Sequence, residues 1–175
     1  MKVILGLGSN IGDQVKYIEQ AITLLQDGPV LTDIQISKIY KSKAVLPSGA
    51  PDDWDKSYLN LAVSGDCELE PQELLEKVKE IEKIIGRIDR GFWSPREIDI
   101  DILLYGDYDI ASRNLTIPHK FLLERDFALL PVNDLAPNWI YPRSGIFHNQ
   151  TISEIIKRNP IDKSGCAITD ILVTI

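Results

Sequence analysis

The stretch Arg96-Glu97-Ile98-Asp99-Ile100-Asp101-Ile102-Leu103-Leu104 decides how this chain is read. At the two-residue period of a β-strand, Ile98, Ile100 and Ile102 project from one face and Asp99 and Asp101 from the other. The first face asks for a core. The second carries two carboxylates about 6–7 Å apart at Cα, from a rise of about 3.3 Å per residue. That spacing holds one hard cation between them or two side by side, and ligands that are all oxygen select Mg²⁺. A solvated strand face, or charges that guard a sheet edge, would produce the same pattern.

The residues just before this strand favour chemistry. Arg87-Ile88-Asp89-Arg90-Gly91-Phe92-Trp93-Ser94-Pro95-Arg96 puts three arginines into ten residues of an otherwise acidic chain. Arginine grips phosphate bidentately and stays charged. An arginine loop beside a carboxylate pair suits Mg²⁺-dependent polyphosphate chemistry, which needs positioning and charge neutralisation. Pairing of the loop arginines with local acids such as Asp89 and Glu97 is the competing expectation.

Working outward, residues 97–105 form the last of four expected strands. Residues 2–8 are a short apolar strand ending in a glycine turn, and 13–26 a helix with Val15, Ile18, Ile22 and Leu25 at helical spacing. A second strand spans 33–41, and a long Pro/Gly/Asp loop with Lys43 and Trp54 fills 43–57. The third strand, 58–68, turns Leu59, Leu61 and Val63 to one face and Tyr58, Asn60 and Ala62 to the other. Pro71 opens a second helix, Leu74, Val78, Ile81 and Ile85 form its buried stripe, and Gly86 suits a left-handed cap. The order strand, helix, strand, strand, helix, strand is the ferredoxin-like βαββαβ arrangement, an α+β class with an antiparallel sheet and helices on one face. Beyond it come a hairpin (108–110 with 115–117), a helical stretch at 126–135, a capping box at Thr151 and Glu154 opening a short helix to 158, and an apolar, strand-like end.

The chain has 175 residues and 19 Lys and Arg against 26 Asp and Glu, a net charge of −7. Its length fits one main domain, taken as residues 1–160, with 161–175 a strand-like tail that would link to a second domain. The acidic balance argues against a nucleic-acid coat, so a polyphosphate substrate would need the few cations gathered in one place. Cys67 and Cys166 form neither a metal cluster nor a disulfide framework, no apolar run approaches a membrane span, and the N-terminus is no signal peptide. A cytoplasmic location is expected.

Other residues leave their roles open. Gly6-Leu7-Gly8-Ser9-Asn10-Ile11-Gly12 lacks the Gly-Lys-Ser/Thr ending of a phosphate loop, and Ser9 or Asn10 is expected to cap the first helix. His119, after Pro118, and Arg125 become phosphate-binding candidates only if they lie near the arginine loop, and His148 is read as surface. Tyr58, Trp93 and Phe127 suit a core or the two sides of a flat heterocycle equally.

Five elements together carry a resemblance. Gly8-Ser9-Asn10, Tyr58-Leu59-Asn60, Ile81-Glu82 with Gly86-Arg87, Pro95-Arg96-x-x-Asp99-x-Asp101, and Thr116-Ile117-Pro118-His119 stand in the order and approximate spacing of one enzyme family. Over residues 3–158 the chain resembles the 6-hydroxymethyl-7,8-dihydropterin pyrophosphokinases of folate biosynthesis. The resemblance implies the ferredoxin-like fold and transfer of pyrophosphate from ATP to the pterin hydroxymethyl group, giving AMP. It matches Asp99 and Asp101 to carboxylates that hold two Mg²⁺ ions, and Arg87, Arg96, His119 and Arg125 to binders of the ATP phosphates. Asn60 matches the residue reading the pterin edge, aided by the segment at Ser42 and Val45, and Tyr58 and Phe127 match the aromatic walls. Glu82 matches an acid that supports the site, on the ATP side. Trp93 lies in the loop that closes over the substrates. Phe92 and Ser94 stand where the family has a basic residue and a glycine. In some organisms the enzyme is fused to dihydropteroate synthase, and such a partner domain is an expectation here as well.

A non-catalytic ferredoxin-like module is the other class to weigh. An RNA-binding sheet should show basic and aromatic residues on its third strand, and Tyr58-Leu-Asn-Leu-Ala-Val-Ser-Gly-Asp66 has one aromatic and no basic residue. A regulatory ligand domain has no need of an arginine loop beside two carboxylates.

Overall fold

The alternation read from the sequence becomes an antiparallel sheet in which β1 (Lys2–Ser9) is an inner strand, paired on both sides. A computed structural model describes residues 1–28, 30–91, 93–159 and 165–173. Helix α1 (Gln14–Asp27) follows β1, then β2 (Thr32–Ile36), β3 (Tyr40–Ser42), β4 (Tyr58–Asp66), α2 (Pro71–Ile85) and β5 (Asp99–Tyr105). β1 pairs with β4 on one side and β5 on the other, and β2 and β3 both pair with β4, giving the ferredoxin-like order.

One sheet face is the main core. Val3, Leu5 and Leu7 of β1, Leu59, Leu61 and Val63 of β4, and Ile98, Ile100 and Ile102 at β5 pack under α1 and α2. Full burial of such a side chain stabilises by about 1.5–3 kcal/mol, so this layer sets the fold's stability. Glu70 and Glu73 form a capping box at the start of α2, and Gly86 ends it at φ 103°.

Several expectations are corrected. The second strand is not continuous over 33–41 but breaks into β2 and β3 at Ser37. There the Ser37 hydroxyl accepts from the Ala62 N–H at 2.9 Å, replacing a ladder carbonyl. The glycine turn at 6–8 is part of β1, which runs to Ser9. Neither Ser9 nor Asn10 caps α1; Asp13 does, accepting from the Lys16 N–H. The hairpin is shifted, to β6 (Ile110–Ala111) with β7 (Thr116–Ile117).

Helices also cover the sheet's second face, beyond the one-faced arrangement expected. Ile4, Ala62, Leu103 and Leu104 pack beneath α3 (Asp126–Leu135) and α4 (Ile152–Arg158). A bulge makes this layer: Ile102 lies opposite Leu5 but Leu104 opposite Ile4, so the extra residue brings Leu103 and Leu104 to the same side. The helices stop short of the end where Gly6, Gly8, Asn60, Asp99 and Asp101 lie, and a cleft opens there. The expected domain boundary after residue 160 lies outside the described residues. Past it, β8 (Cys166–Ile168) pairs with β3 and extends the sheet.

Candidate active site

The cleft has a volume of about 1040 Å³, and every site residue singled out from the sequence lines it. Its floor is a row across the strands. Gly8 of β1 lies between Asp99 of β5 and Asn60 of β4, and Gly6 between Asp101 and Ala62. The glycines make the floor possible. A Cβ on Gly8 would stand 3.0 Å from Asn60 Oδ1, and one on Gly6 3.0 Å from the Leu103 side chain. Glycine inside a strand weakens it, and close approach of a neighbour is the usual reason to find one there.

The pairing of β3 with β4 sets Tyr40 opposite Asn60 and Ser42 opposite Tyr58. Asn60 and Ser42 are buried, and Asn60 Nδ2 donates to Ser42 Oγ at 2.9 Å. Burial pushes the Tyr58 phenol up, against the pull of the Arg96 guanidinium. Val45, half exposed, stands at the rim.

Glu82 ties α2 to the carboxylate strand. Its Oε1 accepts from the Ile100 N–H at 2.7 Å, between Asp99 and Asp101, and from Lys79 Nζ at 2.7 Å. Lys79 also donates to the Ile100 carbonyl at 3.3 Å. β5 is the sheet's edge on this side, so Lys79 and Glu82, one helical turn apart, stand in for a missing neighbour strand. Burial pushes the Glu82 carboxyl up, opposed by Lys79 and Arg87.

The loop cations attach to these acids. Arg87 reaches Asp99 Oδ1 at 2.5 Å and Glu82 Oε2 at 2.7 Å, and Arg96 reaches Asp99 Oδ2 at 3.0 Å. Burial alone would raise the Asp99 carboxyl, but Arg96 and Arg87 outweigh it and hold it below the usual range. Asp101 goes the other way. Burial, then the neighbouring Asp99 charge, push it up, and it makes no hydrogen bond or ion pair among the described residues. Among those residues, no three His, Cys, Asp or Glu side chains cluster as a metal site of their own.

Arg90 separates from the other two arginines. Its guanidinium binds Glu97 in a fork, at 2.7 and 3.1 Å, and closes the base of the loop instead of facing the cleft. For this residue the competing expectation, pairing with a local acid, is right. Asn10 holds the other end of the loop: its Oδ1 accepts from the Arg96 N–H at 2.8 Å, and its own N–H donates to the Arg96 carbonyl. Trp93 sits at φ 68°, its ring lining the cleft. Phe92 lies outside the described residues, and Ser94 is buried, donating to the Gly91 carbonyl.

The opposite wall comes from the segment after β7. The His119 N–H donates to the Leu103 carbonyl at 2.9 Å, which seats the imidazole beside Asp101. Burial pushes the imidazole down, against the attraction of Asp101. Arg125 precedes α3 with its guanidinium 4.3 Å from the Phe121 ring centroid, 5.7 Å from Phe127 and 5.8 Å from Trp93. Among the described residues it makes no ion pair. His148 is exposed and remote from the cleft, as expected.

Sequence reasoning missed Gly6 and Gly8 as floor, Lys79 as a strand brace, Asn10 as a clamp on Arg96, and Phe121. The signal for the glycines was there, in two glycines at strand spacing on the face opposite Val3, Leu5 and Leu7. The other contacts join residues far apart in the chain.

Comparison with known proteins agrees with this geometry. A family model described as 7,8-dihydro-6-hydroxymethylpterin-pyrophosphokinase (HPPK) matches residues 4–137. The chain is similar to the 2-amino-4-hydroxy-6-hydroxymethyldihydropteridine pyrophosphokinase of Aquifex aeolicus, 44% identical over 144 residues, 80% of this chain and 83% of that protein. It is 36% identical to the same-named protein of Methylorubrum extorquens, over 94% of this chain and 96% of that one. It also matches the folate synthesis bifunctional protein of Chlamydia muridarum, 38% identical over 91% of this chain, but spans only 36% of that protein. Among solved structures, HPPK-DHPS of Plasmodium falciparum superposes with a TM-score of 0.71 at 18% identity, covering 98% of this chain and 48% of that one, a likeness of fold. The chain therefore belongs to the 7,8-dihydro-6-hydroxymethylpterin-pyrophosphokinase family.

Proposed function

We propose how this chain's residues divide the reaction its family membership brings: transfer of pyrophosphate from ATP to the hydroxymethyl group of 6-hydroxymethyl-7,8-dihydropterin, giving AMP and the pterin diphosphate. The strand floor binds the pterin. Tyr58 and Phe127 flank the ring, with Val45 at the rim. Asn60 gives one amide hydrogen to Ser42 and presents Oδ1 to accept from a ring N–H. Arg87, Arg96, Arg125 and His119 take the triphosphate, with Glu82 bracing that side and Trp93 on the loop that covers it. Arg87 and Arg96 share one counter-ion, Asp99, and exchange it for phosphate oxygens.

Asp99 and Asp101 would hold two Mg²⁺ ions. The donor set fits: both ligands are oxygen, and half-buried Asp101 has no hydrogen-bond partner among the described residues and stands beside a second carboxylate. A hard divalent ion binding through one or two carboxylates takes its other ligands from water and phosphate. When bound, Mg²⁺ supplies charge neutralisation to the triphosphate. Closure of the loop bearing Trp93 excludes water, which competes with the pterin hydroxyl. We place the reaction in residues 1–160 and in the cytoplasm, with 161–175 an accessory tail that could lead to a further folate-synthesis domain.

The observation that carries this reading is the meeting, in one cleft, of a half-buried Asp101 without a hydrogen-bond partner and an Arg125 without an ion pair, both among the described residues. Incubation with ATP, Mg²⁺ and the reduced pterin, followed by phosphorus NMR, tests it. AMP and a pterin diphosphate are expected, and ADP, or no turnover, would overturn the reading.

A further inference from the structure

Phe121 belongs to neither apolar core cluster, yet it is half-buried in the cleft wall. Its neighbours are charged or ionisable. The Arg125 guanidinium carbon lies 4.3 Å from its ring centroid and Lys120 Nζ 4.6 Å. The His119 ring meets it edge-on, with centroids 6.0 Å apart and planes at 65°. The Phe121 N–H points at His119 Nδ1 at 3.4 Å. An acceptor at Nδ1 puts the neutral ring's hydrogen on Nε2.

We infer that Phe121 is a positioning residue for the phosphate-binding end of the site, holding Arg125 by its ring face and His119 by its backbone N–H. The inference rests on the functional reading above and extends it to a residue that reading leaves unassigned. The physics favours a ring over an acid in this place. A carboxylate against Arg125 would occupy the same N–H groups that phosphate needs. An aromatic face attracts the cation through its quadrupole and leaves the in-plane N–H fork free. Arg87 and Arg96 must give up Asp99 before they bind phosphate, whereas Arg125 has no ion pair to give up among the described residues. Phe127 and Trp93 also approach this guanidinium, but at 5.7 and 5.8 Å, and Trp93 belongs to the covering loop. Phe121 is the nearest of the three rings.

The test compares Phe121→Leu, which keeps apolar bulk and loses the π face, with Phe121→Tyr, which keeps the face. Affinity for α,β-methylene ATP with Mg²⁺ is measured by titration calorimetry, and KM for ATP and for the pterin by steady-state kinetics. Cation–π contacts of this kind predict a loss of roughly 3- to 30-fold in ATP affinity for Phe121→Leu. The pterin KM should stay within about twofold, and Phe121→Tyr should retain wild-type affinity. A Leu variant that binds the analogue like wild type overturns the inference, as does a Tyr variant that falls as far as Leu. Equal losses for ATP and pterin would mean a merely structural role and overturn it too. If Phe121→Leu does not fold, Phe121→Met carries the same comparison. Failure of the functional reading looks different: the wild-type chain then yields no AMP, whatever Phe121 does to binding of the analogue.

Discussion

The strand half of the cleft and its loop half hold their polar groups by different means. On the strands, Asp99, Asp101 and Asn60 are placed by ladder pairing across Gly6 and Gly8, and Glu82 and Lys79 brace the edge from α2. The loop between α2 and β5 has no ladder. Its shape rests on Arg90–Glu97, on Asn10 at Arg96, and on Arg87 and Arg96 leaning against Asp99. Strand positions are thus fixed before any substrate arrives, while loop positions depend on charge pairs that substrate can replace. A site that must both read a flat ring and close over a triphosphate needs both kinds of support.

Removing a strand charge should do the most damage to turnover and the least to the fold. Asp101→Asn is expected to lower kcat by about 10²- to 10³-fold, the order seen when a charge-stabilising group is removed from a transition state. The same change should leave the Tm of the ligand-free protein unchanged or raise it. The sign follows from linkage: burial and Asp99 push the folded-state pKa of Asp101 above its unfolded value, so its ionised form opposes folding at neutral pH. Thermal melting beside a turnover assay checks both arms. A drop in Tm together with intact turnover would mean that Asp101 is a structural acid.

A smaller effect should follow from disturbing the floor without touching a charge. In Gly8→Ala the new Cβ meets Asn60 Oδ1 at 3.0 Å, and Tyr58 lies just beyond at 3.6 Å. Asn60 is held by Ser42 and can give way only by tilting its amide. The pterin KM should rise about tenfold while the ATP KM moves little, since misplacement of a positioning group by a fraction of an ångström is enough. Parallel rises in both constants would show that the two halves are not separable at Gly8.

How far the sequence could be read follows the same division. The alternation of Ile98, Ile100 and Ile102 with Asp99 and Asp101 was legible because strand geometry alone sorts the two faces. The helical stripes of α1 and α2 and the Gly86 cap were legible for the same local reason. Breaks that depend on a side chain replacing a backbone group were not, as at Ser37, where a hydroxyl interrupts what reads as one strand. The second helical layer was hidden because Leu103 and Leu104 share a face only through a bulge. In the site, the residue types were legible and their partners were not. Arg87 and Arg90 look equivalent in sequence, and only the position of Glu97 sends one to the loop base and leaves the other in the cleft.

The loop half yields the smallest effect, at Arg90. In Arg90→Met the fork to Glu97 is lost while the cleft's own cations remain. Hydrogen exchange across residues 88–97 should quicken, and kcat should fall only about two- to fivefold, because the pair lies at the loop base and hydrogen-bonds to no side chain that faces the cleft. The pH dependence gives the sharper check. The hydrogen bond from Arg90 holds the Glu97 carboxyl below its usual range. A depressed acid contributes fully above its unfolded pKa, about 4.3 for Glu, and loses that contribution as pH falls through the lower folded value. Wild type and Arg90→Met should therefore differ in loop exchange by a constant factor from about pH 5 to 8 and converge as pH falls through the lowered Glu97 value. A difference that persisted in acid would assign the loop's shape to Asn10 and the backbone turn at Gly91, and would leave Arg90 without a part in it.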